Sequence, residues 1–468
     1  MALDQHALEA SAAFARPTPA TDRPGAELVV TRTWDGSRFR STLTNTGDVS
    51  VRVEEVVVAS GGHGLPTDTP LYGEGFTMLS QYEGTIAALT LLGGYGDATH
   101  YRLPQRAGFR TVYDLALVSP AGGPHTLVAF ASSRRFAGQL RFSDTAYELA
   151  LDTEGLELAP GATWELEDVV VFTGPDPDAL FADLATELSR VHPPRVPAER
   201  LTGWCSWYCF GPDVTEADIV ANLHAADEHG LGLTYVQIDD GYQARMGDWL
   251  EPGPLVPDPA GLCRTITQLG HEPAIWVAPF IAEAGSTVLR EHPEWFVSDE
   301  SGLPLASDRI SYGGWRRGPW FMLDGSNPEA RDHLRSVFST MRNDWGCRYF
   351  KLDANVWGAL PGGHRLGPGG HPRRELPARD GGDPGRGRRR VDHPGLQRAE
   401  LGVVGVGRRD ADDRRHLPHA RGGRLGCEGR AAPVVAEQPV VDRGSGLPGG
   451  DGVEADGGAA RVPRRLHP

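Results

Sequence analysis

The sequence predicts a multidomain chain, β then α/β: an N-terminal β-sandwich, then an incomplete (β/α)8 TIM barrel, then a disordered Gly/Arg/Pro-rich tail. Three observations predict it. Short strand-like segments punctuated by Gly and Pro turns fill residues 25–175. Apolar runs ending in polar residues alternate with helical patterns over 198–360. Composition then breaks at 361, after which no Phe, Trp, Tyr, Ile, Met, Lys, Asn or Thr occurs.

The first 24 residues read as an N-terminal extension. They lack a basic stretch followed by an apolar core, and no run of 18 apolar residues occurs in the chain. The expectation is therefore a cytoplasmic protein with no membrane partner. Segments 26–34, 39–43, 51–59, 127–132, 147–151 and 164–172 carry strand-like alternation. Asp-Gly, Thr-Gly-Asp, Gly-Gly and Pro-Gly clusters separate them, which is the punctuation of a β-sandwich.

Residues 176–197 read as a helix and linker. Apolar residues recur at i, i+3, i+4 and i+7 over 177–191, and the proline-rich stretch 192–197 follows. Over 198–360, apolar runs at 203–208, 234–238, 274–280 and 348–352 alternate with helical patterns. Thr215, with Asp218 three residues on, marks a helix start resembling a capping box. Alternating strands and helices imply parallel βαβ units, and polar residues at the strand ends point to the active-site face of a barrel.

From 361 to 468 the chain holds 24 Gly, 20 Arg and 12 Pro. Such a segment buries too little apolar surface to offset the cost of ordering its backbone. Residues 1–360 carry 26 basic and 48 acidic groups, net −22, and the tail 20 and 14, net +6, which sum to the chain's −16. The tail's composition is that of GC-rich DNA read out of frame and predicts a frameshift near residue 361. The alternative is a basic nucleic-acid arm, which the 14 acidic residues and the missing aromatics disfavour. The acidic body suits a neutral substrate and disfavours nucleic acid as a partner. Five cysteines without a CxxC pair predict reduced thiols, no metal and no cofactor.

Lys351 is the sole lysine beside 45 arginines. A position that keeps lysine against this bias points to a need for a compact ammonium rather than a planar fork, the alternative being chance survival of one lysine codon. Side chains alternate along a strand, so Lys351, Asp353 and Asn355 are expected on one face. There Asp353, ionised beside the lysine, suits nucleophilic attack on an anomeric carbon. A salt-bridged pair at a strand end fits the same pattern, and spacing does not separate the two. Asp239 and Asp240 end an apolar strand as adjacent carboxylates that require a partner. Sugar hydroxyls fit better than a metal, for which no further ligands stand nearby; a solvated turn is the structural alternative. Trp204, Trp207, Trp249, Trp276, Trp315 and Trp320 fall in the barrel segment. Their flat rings suit pyranose C–H faces, although tryptophans serve more often as core. Trp276 is the best-placed, because Pro279 ends its strand.

These motifs converge on a family. Gly203-Trp204-Cys205-Ser206-Trp207-Tyr208, Gln237-Ile238-Asp239-Asp240-Gly241-Tyr242-Gln243, Gly247-Asp248-Trp249, the segment 270–280 and Lys351-Leu352-Asp353 resemble, in order, the barrel of glycoside hydrolase family 36. Those are α-galactosidases, also called melibiases. Upstream, Tyr72-Gly73-Glu74-Gly75-Phe76 resembles a family segment of the β-domain. The resemblance implies retaining hydrolysis of terminal α-D-galactosyl residues of an oligosaccharide, with Asp353 as nucleophile. It further implies sugar contacts from Lys351, Asp239, Asp240, Trp276 and Trp207, and a homo-oligomer is compatible with it. Retention also needs a second carboxyl group about 5–5.5 Å from the nucleophile. Asp410, Asp412 and Asp413 echo that segment without strand or helix patterning, so the role is not carried to them. Four of eight βα units are readable, which predicts an impaired enzyme. A raffinose-synthase-like transferase and a non-catalytic galactoside-binding protein are the alternatives.

Overall fold

The computed structural model describes residues 3–366, apart from 20–24, 78–79, 93–96, 195–200 and 313–317. The expected tail from 367 onward, part of the expected linker, and Trp315 lie outside the described residues.

The N-terminal part is one continuous antiparallel sheet. Its strands are β1 (Ala12–Pro17), β2 (Leu28–Asp35), β3 (Arg38–Asn45), β4 (Val51–Gly62), β5 (Pro70–Glu74), β6 (Gln81–Thr85) and β7 (Leu89–Leu91). They continue with β8 (Arg110–Val118), β9 (His125–Phe130), β10 (Ala137–Phe142), β11 (Ala146–Leu158), β12 (Thr163–Glu165) and β13 (Val169–Gly174). The main path runs β1-β4-β11-β10-β8-β9-β13-β3-β12, and β5 with β6 and β7 branches from β8. Its two ends come together: β1 packs on β2 and β3 on β4, pairs that are far apart along the path. The nearly closed sheet encloses Phe39, Leu43, Val56, Val58, Leu140, Leu149 and Val169, all fully buried. The sandwich predicted from turn spacing is thus realised as a single sheet curved onto itself.

The first 24 residues take part in this domain. A one-turn helix, α1 (Gln5–Glu9), is capped by Asp4, and β1 pairs antiparallel with β4. The segment 164–172 divides into β12 and β13, separated by a turn whose Glu167 accepts from the backbone N–H of Arg134, Arg135 and Phe136.

Two short helices, α2 (Asp97–His100) and α3 (Pro177–Val191), complete this half. Helix α3 has the span that its periodicity predicts and is capped by Asp176. It buries Leu180 and Leu184 against Leu127, Ala129 and Val170 of the sheet.

The second half is a four-stranded parallel sheet in the order β14 (Gly203–Cys205), β15 (Tyr235–Ile238), β16 (Glu272–Val277), β19 (Tyr349–Leu352). A separate antiparallel pair, β17 (Ile281–Glu283) and β18 (Trp320–Met322), falls between the last two in sequence. The helices here are α4 (Trp207–Phe210), α5 (Glu216–Glu228), α6 (Pro259–Gln268), α7 (Thr287–Glu291) and α8 (Pro328–Asn343). The Thr215–Asp218 capping box at α5 is present in both directions. One strand face (Val236, Ile238, Ile275, Val277, Phe350) packs on Ile219 and Leu223 of α5, Leu262 and Ile266 of α6, and Val337 and Met341 of α8. This is half of the strands an eight-stranded barrel needs. Among the described residues, β14 and β19 each pair on one side only.

The halves share a core. Phe76, from the motif at 72–76, joins Tyr101, Leu103 and Tyr113 in the cluster that contains the barrel strands. Trp357 donates from its indole N–H to the Tyr101 hydroxyl at 3.4 Å, and Arg102 donates to the Arg309 carbonyl at 3.0 Å. Beyond the compositional seam, residues up to 366 remain bonded to the body. Ser298 and His364 exchange backbone bonds of 3.0 and 2.7 Å, and the Leu366 N–H donates to Asp324 at 2.6 Å.

Candidate functional site

The site lies at the carboxyl ends of the four parallel strands, where βα folds collect ligand-binding side chains. Their register fixes the layout. Trp276 is paired with Lys351 and Val277 with Leu352, while Ile238 is paired with Ile275, so the first residues past β15 and β19 stand on either side of β16.

Asp239 is 2% exposed, yet its carboxylate is well supplied with donors. One oxygen receives Lys351 Nζ at 3.0 Å, Gln237 Nε2 at 2.5 Å and the Cys205 thiol at 3.4 Å. The other receives the Asp240 N–H at 2.9 Å, and Asp239's own N–H donates to Ser206 Oγ at 3.0 Å. For Lys351, burial lowers the ammonium's pKa, but the charge and hydrogen bond of Asp239 outweigh it and hold the group above the usual lysine range.

Asp240 is 1% exposed and accepts from Gln243 Nε2 at 2.8 Å. Gly241 follows with φ +128°, where a Cβ would meet the Pro212 carbonyl oxygen at 2.7 Å. The glycine after the two aspartates is therefore a backbone requirement. The adjacent carboxylates, expected to look to sugar hydroxyls for partners, find several within the protein.

Asp353 is exposed. Its Oδ2 accepts the Trp276 indole N–H at 2.9 Å and its Oδ1 accepts the Ala354 N–H at 2.7 Å. Ala354 has φ +53°, a left-handed conformation uncommon for alanine, and this turn ends β19. The expected common face of Lys351, Asp353 and Asn355 consequently stops short. Asn355 enters a 3-10 turn, is buried, and donates to the Leu352 carbonyl at 3.4 Å. The direct ion-pair partner of Lys351 is Asp239, not Asp353.

Trp276 is 1% exposed and packs edge-on against Trp249, with ring centroids 5.9 Å apart. Its ring is core, and its N–H is what reaches Asp353. Trp204, Trp249 and Trp320 are buried as well, whereas Trp207, at the start of α4, is half-buried. Asp248 of Gly247-Asp248-Trp249 caps α7 through the N–H groups of Thr287 and Val288 at 2.9 and 3.1 Å. Cys205, Ser206, Gln237 and Gln243 were not singled out from the sequence. Period-two spacing places Gln237 on the Asp239 face, a signal that was available for one of them.

Among the described residues, no group of three His, Cys, Asp or Glu side chains is arranged to hold a metal ion. Cys263 and Cys347 are buried thiols whose sulfur atoms stand 3.7 Å apart, and Cys427 lies outside the described residues. No described helix is long and apolar enough to cross a membrane.

No family model matches the chain. It is 25% identical over 238 residues to the myogenesis-regulating glycosidase of Mus musculus, covering 49% of this chain and 31% of that protein. It is 30% identical over 158 residues to an α-galactosidase of Geobacillus stearothermophilus, covering 32% of this chain and 20% of the other. The chain thus spans less than a third of the length of either relative. Among solved structures, an α-galactosidase from Thermus thermophilus in complex with p-nitrophenyl α-D-galactopyranoside superposes with TM-score 0.51 at 22% identity. That match covers 70% of this chain and 65% of the other. A family 36 α-galactosidase from Geobacillus stearothermophilus superposes with TM-score 0.51 at 17% identity, covering 70% and 47%. The structural matches show a common fold. At low identity and over part of its length, the chain resembles the α-galactosidases of glycoside hydrolase family 36.

Proposed function

We propose that the chain carries the nucleophile-side half-site of a retaining α-galactosidase that acts on terminal α-D-galactosyl residues. The observation that supports this most is the setting of Asp353. Two N–H donors hold the two oxygens of its carboxylate just past the end of β19, and the only lysine of the chain stands two residues before it. In this reading the Asp353 carboxylate attacks the anomeric carbon and the leaving group departs with the bonding pair. Lys351, Asp239 and Asp240 hold sugar hydroxyls, and Trp207 borders the site. The other carboxyl group required for retention belongs to barrel units that the described residues do not include. The composition from 361 onward supports a frameshift as the reason, and the nucleotide sequence around that codon tests it: an uninterrupted frame removes this part of the proposal.

A leaving group that needs little protonation isolates the half-reaction. Incubated with α-D-galactosyl fluoride, the protein should gain one hexosyl residue on the peptide containing Asp353, with fluoride released. The adduct should persist, because in this reading none of the described residues serves as the general base that activates water. Asp353→Asn should abolish it. No adduct on the parent chain, or an adduct on another residue, would overturn the assignment. A galactoside-binding role without chemistry is the second reading, favoured by the protein donors that occupy Asp239. It predicts saturable binding of methyl α-D-galactoside with no adduct from the fluoride.

A further inference from the structure

Two thiols from distant parts of the chain meet away from the strand-end carboxylates. Cys263 lies in the middle of α6 and Cys347 two residues before β19, and their sulfur atoms are 3.7 Å apart across 84 positions of sequence. Neither side chain reaches solvent. Both backbones are anchored. Cys347 donates its N–H to the Met341 carbonyl at 3.0 Å and Arg348 to the Pro273 carbonyl of β16 at 2.9 Å, while the Cys263 carbonyl accepts the Thr267 hydroxyl at 3.1 Å. The sulfurs are thus in contact without being bonded. A disulfide requires about 2.05 Å, so closing the pair takes about 1.7 Å, a movement that rotation of the two short side chains can supply.

We propose that Cys263 and Cys347 are a disulfide-forming pair, oxidised by low-molecular-weight disulfides, that ties α6 to the entry of β19. The inference does not depend on the galactoside reading. The chemistry is a double exchange. One cysteine thiolate attacks a sulfur of the reagent disulfide and expels a thiolate; the other cysteine then attacks the protein sulfur of that mixed disulfide and expels the second. Two electrons pass from the cysteine pair to the reagent, and the two cysteine protons end on its two thiols. The closed pair is unreactive: the hydrogen bond with Cys263 and burial hold the Cys347 thiol well above its usual pKa, and no solvent reaches either sulfur. Exchange therefore proceeds through local opening. Among the described residues β19 pairs on one side only, so the segment bearing Cys347 can lift by breaking a single ladder. A metal ion is a poorer occupant, because no third His, Cys, Asp or Glu among the described residues joins the two thiols in a ligand set. Oxidation closes a loop that holds β16, β17, α7, β18 and α8, and it pins the strand that carries Lys351 and leads into Asp353. Cross-linking so long a loop restricts the unfolded chain far more than the folded one.

Treatment of the full, folded chain with oxidised glutathione, followed by proteolysis without reductant and mass spectrometry, tests the proposal. The expected product is a linked pair of peptides containing Cys263 and Cys347, lighter by two hydrogens than the two reduced peptides together and separated again by dithiothreitol. The urea midpoint of the oxidised protein should lie above that of the reduced protein by about 0.5 M or more. Cys263→Ala should give no link to Cys347 and no oxidant-dependent rise in midpoint; should that variant not fold, the parent's own oxidised and reduced forms still decide. A pair that stays reduced in the folded chain and links only in urea would overturn the proposal, leaving two thiols packed as core. So would stable glutathione adducts without the link, or a link to another cysteine. A correct link without a rise in midpoint would refute its role as a staple.

Discussion

The indole N–H of Trp276 donates to Oδ2 of Asp353 over 2.9 Å, joining the ends of adjacent parallel strands. A buried tryptophan thereby orients an exposed carboxylate. With the Ala354 N–H on the other oxygen, one acceptor site of each oxygen is occupied and the carboxylate plane is held before any ligand arrives.

Trp276→Phe keeps most of the packed ring and deletes the donor. Loss of one charge-assisted bond should slow adduct formation from galactosyl fluoride by about 10- to 100-fold, while denaturant stability changes by about 1 kcal/mol. An unchanged labelling rate would mean that the bond does not position Asp353.

Lys351→Met leaves Asp239 at 2% exposure without its cation. Breaking a buried pair from one side costs about 3 kcal/mol, to be read from urea unfolding. Because the folded ammonium is held above the usual lysine range, the pair's contribution is complete below that range. It declines only as pH rises through the higher folded value. The gap between parent and variant should therefore stay constant from neutral pH to about pH 10, near the ordinary lysine value. Lys351→Arg should recover little of it, since a planar fork does not fit a place shaped for a compact head.

Two turns next to the carboxylates should respond in opposite directions. Gly241→Ala forces a Cβ against the Pro212 carbonyl at positive φ and should destabilise by about 2 kcal/mol or more. Ala354→Gly relieves a left-handed alanine and should stabilise by up to about 1 kcal/mol. Thermal unfolding of the two variants side by side checks both signs.

Tyr242 is fully buried and its hydroxyl has no hydrogen-bond partner among the described residues, and burial pushes the phenol well above its usual pKa. Tyr242→Phe removes an unsatisfied polar atom and keeps the ring. Stability should be unchanged or rise by up to about 1 kcal/mol. A loss greater than that would indicate a partner for the hydroxyl, such as a bound water.

Helix α3 and the Thr215 cap were legible because their signals are local: an apolar period along one helix, and a hydroxyl three residues from an acidic side chain. The parallel strands were legible within a few residues for a similar reason, as apolar runs closed by polar groups. Strands β1, β5, β6, β7, β8 and β10 were not among the segments singled out. Their burial comes from long-range pairing, as where β10 lies between β8 and β11, and their own alternation is weak. Asn355 was placed on the strand face because a period-two pattern carries no notice of where a strand stops. The left-handed turn at Ala354 stops it.

The sequence by itself determined which residues stand at the strand ends, that carboxylates and one lysine are among them, and where the aromatic-rich body gives way to a Gly/Arg/Pro composition. Those are properties of order along the chain. Only the tertiary structure decided who meets whom. Asp353 lies two residues beyond Lys351, just past the end of β19, whereas Asp239 stands two strands over, about 10 Å across the sheet, a span that the long lysine side chain can bridge. So the lysine that the sequence set beside Asp353 binds Asp239, 112 positions away, and Trp276 holds Asp353 in its place. Register and sheet curvature set those distances, and neither is written in local spacing.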